Sequence, residues 1–396
     1  MARQIELVMV TSNNNNKYYK MFEEGSNFIV KYGRVGGTEQ TMTYSINDWD
    51  KKYNEKIKKG YKDITSLKST IKSAILKDVT DPTIMKLLSD LQKYSKQSIL
   101  DNYTVSSEQV TCSQLDKAQE ILNDIASLLK KKVISNFEID NKLTELYTVV
   151  PRKMKKVQDF ILNGTGDKAK AKAILEREQD AIDVMRGQVS INQISSDDSD
   201  KTLEDVLGVK ISKVSDNDTI QKIKDMMGTE SDKFKALFEV VHKSSRDRFE
   251  KQKKESVKHW TKLLWHGSRN ENWLNILKTS LLIRPTGAVH TGSMFGDGCY
   301  FADKCKKALG YTSLSGSYWA KGNANQAFMA LYEVNTGMEY RVDKHTSEMY
   351  SMSYKNLKAK GEYDSLFAKG GIDLVNNEYI VYKEEQVTIK YLVELN

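Results

Sequence analysis

Leu263-Leu264-Trp265-His266-Gly267-Ser268, Gly298-Cys299-Tyr300-Phe301-Ala302-Asp303 and Asn377-Glu378-Tyr379-Ile380-Val381-Tyr382 stand in the last third of a 396-residue chain. Each alone reads as a piece of core strand, dense in aromatic and branched residues that fit a pleated, half-buried surface. In order, they supply a histidine, a tyrosine and a glutamate. His266 follows an apolar strand end, where an isolated histidine is ordinarily a satisfied core residue. Glu378, Ile380 and Tyr382 alternate onto one strand face, and a glutamate in such company is either partnered or functional. Tyr300 and Tyr311 flank an expected short helix, with Asp303 as its N-cap and Gly310 at its end. By themselves both tyrosines read as packing residues. The combination carries the information.

Outward from these segments, short strands and helices alternate from about residue 202 to the end. The first 65 residues are β-like. Phe28-Ile29-Val30-Lys31-Tyr32 ends in the glycine-rich turn Gly33-Arg34-Val35-Gly36-Gly37, and Gln40-Thr41-Met42-Thr43-Tyr44 starts another strand. A lysine-rich helix follows from Trp49 to near Gly60. Residues 66–106 are polar, partly helical, and read as a connector. Leu115, Ala118, Ile121, Leu122, Ile125, Leu128 and Leu129 recur at helical spacing. Further helices are expected over Asn141–Val150, Met154–Leu162 and Asp167–Met185, making a compact four-helix bundle. Ile194-Ser195-Ser196-Asp197-Asp198-Ser199-Asp200 is the best linker candidate. The expected class is α+β and multidomain.

The length suggests two or three domains. An apolar content of 39% with 29% charge fits a soluble globular chain. The start Met1-Ala2-Arg3-Gln4-Ile5-Glu6 puts a carboxylate where a secretory leader needs apolar residues. No apolar run approaches the ~20 residues of a membrane span, so an intracellular protein with no membrane partner is expected. Cys112, Cys299 and Cys305 form no CxxC pair and the five histidines are scattered, which points away from a disulfide framework and from metal. A net charge of +8 is weakly suggestive of a polyanion partner. No G-x-G-x-x-G turn occurs, and Gly164-Thr165-Gly166-Asp167-Lys168 lacks phosphate-loop spacing. A hydride-transferring dehydrogenase or an ATPase is therefore disfavoured.

The three opening segments resemble the His-Tyr-Glu signature of the poly(ADP-ribose) polymerase family, which transfers ADP-ribose from NAD as substrate. Residues 1–65 resemble a WGR domain, with Tyr32-Gly33-Arg34 where that family usually has Trp-Gly-Arg. Residues 107–190 resemble its helical regulatory domain, with Glu176 and Asp180 a weak match to the family's acidic positions. After a linker at 191–201, residues 202–396 resemble the catalytic domain, a mixed α/β fold with a split antiparallel sheet.

The resemblance implies roles. His266 would hydrogen-bond the adenine-side ribose, the Gly267 backbone would grip the nicotinamide carboxamide, and Ser268 would lie beside it. Tyr300 and Tyr311 would wall the nicotinamide ring, as aromatic faces suit a flat ligand. Asn272, Arg284, Gly298, Phe301 and Ala302 complete the implied NAD-binding set. Glu378 would stabilise the positive charge that develops on ribose as nicotinamide leaves and orient the acceptor, whose groove would include Met294 and Lys307. Three departures stand out: Ala308 replaces a serine, Leu282 an arginine, and Asn376 an aromatic near the acceptor site.

By the same resemblance, Tyr32 and Arg34 would contact broken DNA and relay that contact to the helical domain, which would otherwise inhibit catalysis. Protein acceptors would include the chain itself, on the 191–201 linker or the 66–106 connector. A nuclear location is implied in a eukaryote, a cytoplasmic or nucleoid one in a bacterium. Mono-ADP-ribosylation on the same fold, and a catalytically silent DNA-end sensor, are the open alternatives.

Overall fold

The computed structural model describes residues 2–67, 76–103, 110–164, 167–192, 200–256, 258–283 and 294–396. Two compact units are built from segments within 1–73 and 96–195, and within 74–95, 196–285 and 292–396.

In the first unit, β1 (Gln4–Thr11), β2 (Asn15–Glu24), β3 (Asn27–Arg34) and β4 (Gln40–Ser45) precede α1 (Trp49–Lys58) and β5 (Lys62–Asp63). They form an antiparallel sheet ordered β4-β3-β2-β1-β5. Alternation places Leu7, Met9, Tyr19, Met21, Phe28 and Val30 on one face, closed by Trp49 of α1. Asn14, at φ 65°, makes the β1–β2 turn, a conformation asparagine tolerates better than most residues.

Among the described residues of the 66–106 stretch, expected to be a partly helical connector, one long helix stands. This is α2 (Pro82–Asn102), 21 residues long, with proline at its first position and Asp81 Oδ1 accepting from the Thr83 N–H at 2.7 Å. Ile84, Leu87, Leu88, Leu91 and Ile99 are buried along it. Next come α3 (Cys112–Leu129), opened by a Thr111/Gln114 capping box, then α4 (Asn136–Val149) and α5 (Lys168–Asn192).

The helix expected over Met154–Leu162 does not form. Only a 3-10 turn, Val157–Phe160, stands there. The carbonyls of Met154 and Lys155 accept from Arg34, and the Val157 N–H donates to Asn14 Oδ1 at 3.0 Å. Backbone groups committed to the sheet domain are withdrawn from a helical ladder. Most of the expected linker, residues 193–199, lies outside the described residues.

The second unit runs α6 (Leu203–Leu207), β6 (Val209–Lys213), α7 (Asn217–Met227), β7 (Phe234–His242), α8 (Lys243–Glu255), β8 (Thr261–Gly267), α9 (Trp273–Thr279), β9 (Cys299–Phe301) and α10 (Cys305–Leu309). It continues through β10 (Ala327–Asn335), β11 (Glu339–Val342), α11 (Tyr354–Ala359), β12 (Ser365–Ala368), β13 (Glu378–Val381) and β14 (Val387–Leu395). One sheet is ordered β6-β7-β14-β10-β8 and the other β11-β12-β13-β9. All pairings are antiparallel except β11 with β12. Strand β10, between β14 and β8, is almost wholly buried. A two-bond bridge joins the sheets: Trp265 N–H to the Ala302 carbonyl at 2.8 Å, and Ala302 N–H to the Trp265 carbonyl at 3.0 Å. The whole is α+β, and its split sheet sets the segments of His266, Tyr300 and Glu378 side by side.

Candidate active site

The bridge places His266 next to Tyr300, and the β9–β13 register pairs Tyr300 with Ile380, two residues from Glu378. Three segments distant in sequence thus converge.

His266 Nδ1 lies 3.0 Å from the Tyr300 carbonyl. A carbonyl only accepts, so Nδ1 carries the proton and Nε2 is left as an acceptor. Burial holds the imidazole below its ordinary pKa. The rings of Trp273, Phe301 and Tyr332 surround it at 6.5, 5.7 and 5.8 Å between centroids. Phe301, one of the expected NAD-binding residues, packs on this histidine, and Ala302, another, carries the inter-sheet bridge. Gly298 has a packing reason too: a Cβ there would lie 2.5 Å from Ile380 Cγ2 and 2.7 Å from the Val381 carbonyl. At Gly267 a Cβ would collide with the Ala308 carbonyl, so on that side the glycine accommodates the end of α10. Ser268 Oγ accepts from Asn272 Nδ2 at 3.0 Å.

Tyr300 is fixed by its hydroxyl, which donates to the Gly296 carbonyl at 2.7 Å and accepts from the Phe295 N–H at 3.0 Å. Burial, and secondarily the Glu378 charge, pushes the Tyr311 phenol up to about 12. Burial also raises Tyr300, with Glu378 contributing. Both walls of the expected nicotinamide slot therefore feel the same carboxylate. Asp303 does not cap α10: its carboxylate accepts from Asn377 Nδ2 at 2.7 Å, and Lys304 occupies the cap position without a side-chain bond.

Glu378 is 7% exposed. Lys307 Nζ bonds its Oε1, whereas Oε2 is buried with no partner among the described residues. Lys307, expected in the acceptor groove beside Met294, is thus tied to Glu378. The Met294 carbonyl contacts His345 Nε2 at 2.7 Å. Arg284 lies outside the described residues, and Leu282 is 52% exposed. Neither the Lys307 pairing nor its partner oxygen was legible from spacing; a lysine one helical turn before Tyr311 was the available hint.

In the first unit, Arg34 donates to the Asn14 carbonyl at 2.9 Å, to Asn14 Oδ1 at 3.0 Å, and to the carbonyls of Met154 at 3.3 Å and Lys155 at 2.8 Å. Tyr32 is partly buried, its ring 6.1 Å from that of Tyr19. Sequence reasoning missed the next link. Asn16 Nδ2 donates to the Arg152 carbonyl at 3.1 Å, and the Arg152 guanidinium pairs with Glu178 and with Asn102 Oδ1 at 2.8 Å. Arg177 Nε holds the other Glu178 oxygen at 2.9 Å. Glu178, not Glu176 or Asp180, is the deeply buried acid of α5. Among the described residues no helix is long and apolar enough to cross a membrane.

Comparison with known proteins agrees with this arrangement. A family model for the poly(ADP-ribose) polymerase catalytic domain matches residues 216–396, and one for the WGR domain matches residues 2–68. Two proteins of Invertebrate iridescent virus 6 are each 35% identical. The uncharacterized protein 101L matches over 193 residues (48% of this chain, 80% of the relative), and the poly(ADP-ribose) polymerase-like protein 100L over 166 residues (41% and 86%). Poly(ADP-ribose) polymerase 2-B of Oryza sativa subsp. japonica is 24% identical over 437 residues, 97% of this chain and 70% of the relative. The chain belongs to the poly(ADP-ribose) polymerase family and is an NAD+ ADP-ribosyltransferase with a WGR domain.

Proposed function

We propose that this chain is a poly(ADP-ribose) polymerase activated by DNA ends, which transfers ADP-ribose to protein acceptors, itself included, and releases nicotinamide. The observation that carries the reading is the buried Oε2 of Glu378, without a partner among the described residues, beside Tyr300 and Tyr311. A buried carboxylate oxygen with no donor is costly and is what a ribose hydroxyl would satisfy. Nicotinamide is already a cationic leaving group, so no general acid is required. Glu378 supplies a fixed negative charge where positive charge develops on ribose. Lys307 fixes that carboxylate through Oε1 and leaves Oε2 open. His266 Nε2 is free to accept from an adenosine hydroxyl, and Tyr300 and Tyr311 hold the nicotinamide plane between them. In this reading Gly267, Ser268, Asn272 and Gly298 complete the NAD site. Met294 lies on the acceptor side.

DNA gating is supported by Arg34, which touches both the β1–β2 turn at Asn14 and the segment that follows Arg152, the partner of Glu178. In this reading a DNA end engages the face around Tyr32, disturbs the Arg34 contacts, and shifts the helical region away from an inhibitory state. Asn376, where an aromatic residue is usual, favours a second reading in which the product is a single ADP-ribose.

The test is NAD consumption with and without nicked or blunt-ended DNA, resolving labelled products by size. DNA-stimulated ladders lost in Glu378→Gln are the expected result. A single short adduct selects mono-transfer. No turnover under any condition overturns the catalytic reading.

A further inference from the structure

A cavity of about 370 Å³ opens in the first unit between the β1–β2 hairpin and α4. Thr11, Ser12, Asn141, Thr144 and Asn163 give it a polar lining, and Phe137 stands at its rim, 75% exposed. A phenylalanine so exposed, with Val133 80% exposed four residues before it, does nothing for the core. Asp140, also in the lining, spends Oδ1 on the Leu162 N–H at 2.7 Å.

The flanks are basic. Lys130, Lys131 and Lys132 follow α3, and Lys168 and Lys170 open α5; all five are exposed. Lys168 Nζ donates to the Lys131 carbonyl at 3.2 Å, and Lys170 Nζ to the Leu162 carbonyl at 3.4 Å. The Lys170 bond reaches the neighbour of Asn163, the Lys168 bond joins the two lysine clusters, and the Lys131–Glu138 ion pair reaches the neighbour of Phe137. Neither Lys168 nor Lys170 has a carboxylate partner among the described residues. Lys131 has one, Glu138, at 3.3 Å. The carbonyl end of α3 explains why a cation sits there, but it does not explain an exposed aromatic ring and a polar cavity at the same place.

We propose that this groove binds a phosphorylated nucleoside, its base stacked on Phe137, its hydroxyls and base edge met by Asn141, Thr144 and Asn163, and its phosphates held by Lys131, Lys168 and Lys170. The ligand is either a free nucleotide or the end of a nucleic-acid strand. The site is separate from the catalytic pocket and does not rest on the reading of Glu378.

The test is calorimetric titration of the full chain with ADP and, separately, with a 5′-phosphorylated hexadeoxynucleotide. Wild type is compared with Phe137→Ala and with Lys168→Ala/Lys170→Ala, all at exposed positions. Loss of one stacked base predicts roughly tenfold weaker binding in Phe137→Ala. Removing two phosphate contacts lowers the salt slope of oligonucleotide binding by about 1.4 in the lysine pair. ADP affected alone identifies a free-nucleotide site, and the hexanucleotide affected alone a strand-end site. Affinities for both ligands within twofold of wild type in both variants, or no binding of either at millimolar concentration, overturn the proposal. DNA-independent NAD turnover stays at its wild-type level in both variants. Absence of NAD turnover from the wild type both with and without DNA would count against the catalytic reading and leave this one standing.

Discussion

Arg152→Met tests the buried network of the first unit. Arg152 is 4% exposed and Glu178 1%. The substitution removes the guanidinium from one Glu178 oxygen and from Asn102 Oδ1, and also from the rings of Tyr103 and Phe160, 5.7 and 5.3 Å away. Methionine fills comparable volume, so little of the cost is a cavity. Removing one partner of a buried ion pair costs about 3–5 kcal/mol, because the other charge stays buried. Arg177 still holds the second Glu178 oxygen, which places the expected loss near the lower end, about 3 kcal/mol. With a urea slope of about 2 kcal/mol/M, the midpoint of the first unit falls by about 1.5 M.

The assay is urea unfolding followed by far-UV circular dichroism, to which α3, α4 and α5 contribute heavily. Arg152→Met/Glu178→Leu is the control: with both charges gone, most of the loss returns, to within about 1 kcal/mol of wild type. A midpoint shift below about 0.3 M in the single variant, or a double variant no more stable than the single, refutes the reasoning. On the gating proposal the single variant also consumes more NAD without DNA, since a loosened helical region opens more often. Unchanged basal turnover would leave the stability argument intact and remove the gating one.

Gly267→Ala drives a Cβ into the Ala308 backbone carbonyl; overpacking of about 1–3 kcal/mol lowers the melting temperature of the second unit by several degrees, and an unshifted melt contradicts the contact. Trp319 stacks on Tyr311 at 6.1 Å with planes 20° apart, so Trp319→Ala raises the KM for NAD severalfold with little change in kcat, and Trp319→Phe restores it. An effect on kcat alone would deny it a positioning role. Burial lowers the pKa of both His242 and His266 from the usual 6.5. The unfolded chain therefore binds more protons as pH falls below about 6.5, and stability of the second unit drops through that window toward the depressed folded values. Thermal melts at pH 7.5 and 5.5 check this, and His242→Gln flattens the profile; a flat wild-type profile rejects it.

Much of the fold was legible. Period-2 alternation marked the strands of both units, the spacing of Leu115 to Leu129 marked α3, and Trp49 to Gly60 bounded α1. His266, Tyr300 and Glu378 converge as their strand contexts suggested. What was not legible is tertiary. Met154–Leu162 has helix-forming residues, yet its carbonyls are taken by Arg34, 120 residues away. Asp303 has the chemistry of an N-cap, but Asn377 claims its carboxylate. In α2 the apolar spacing and the Asp81-Pro82 start were present, and polarity averaged over the whole stretch hid them. Arg152 and Glu178 sit in different segments with no motif to join them.

The two buried glutamates show why partner geometry, and not burial, separates structure from chemistry. Both are paired with a cation that offsets desolvation. Glu178 has a guanidinium on each oxygen, so its hydrogen-bonding capacity is used within the protein and it can only hold its neighbours in place. Glu378 has one lysine on one oxygen. Among the described residues its Oε2 is the buried carboxylate oxygen with neither a hydrogen bond nor an ion pair. A fold selected for stability alone would satisfy that atom or replace it, since an unmet buried acceptor costs about 1–3 kcal/mol. Retaining it is consistent with a group whose partner arrives with the substrate. Lys307 on the other oxygen offsets the desolvation of the charge and fixes the carboxylate while Oε2 stays open. A sequence motif can name the glutamate, but only the bonding pattern says which of its oxygens is available.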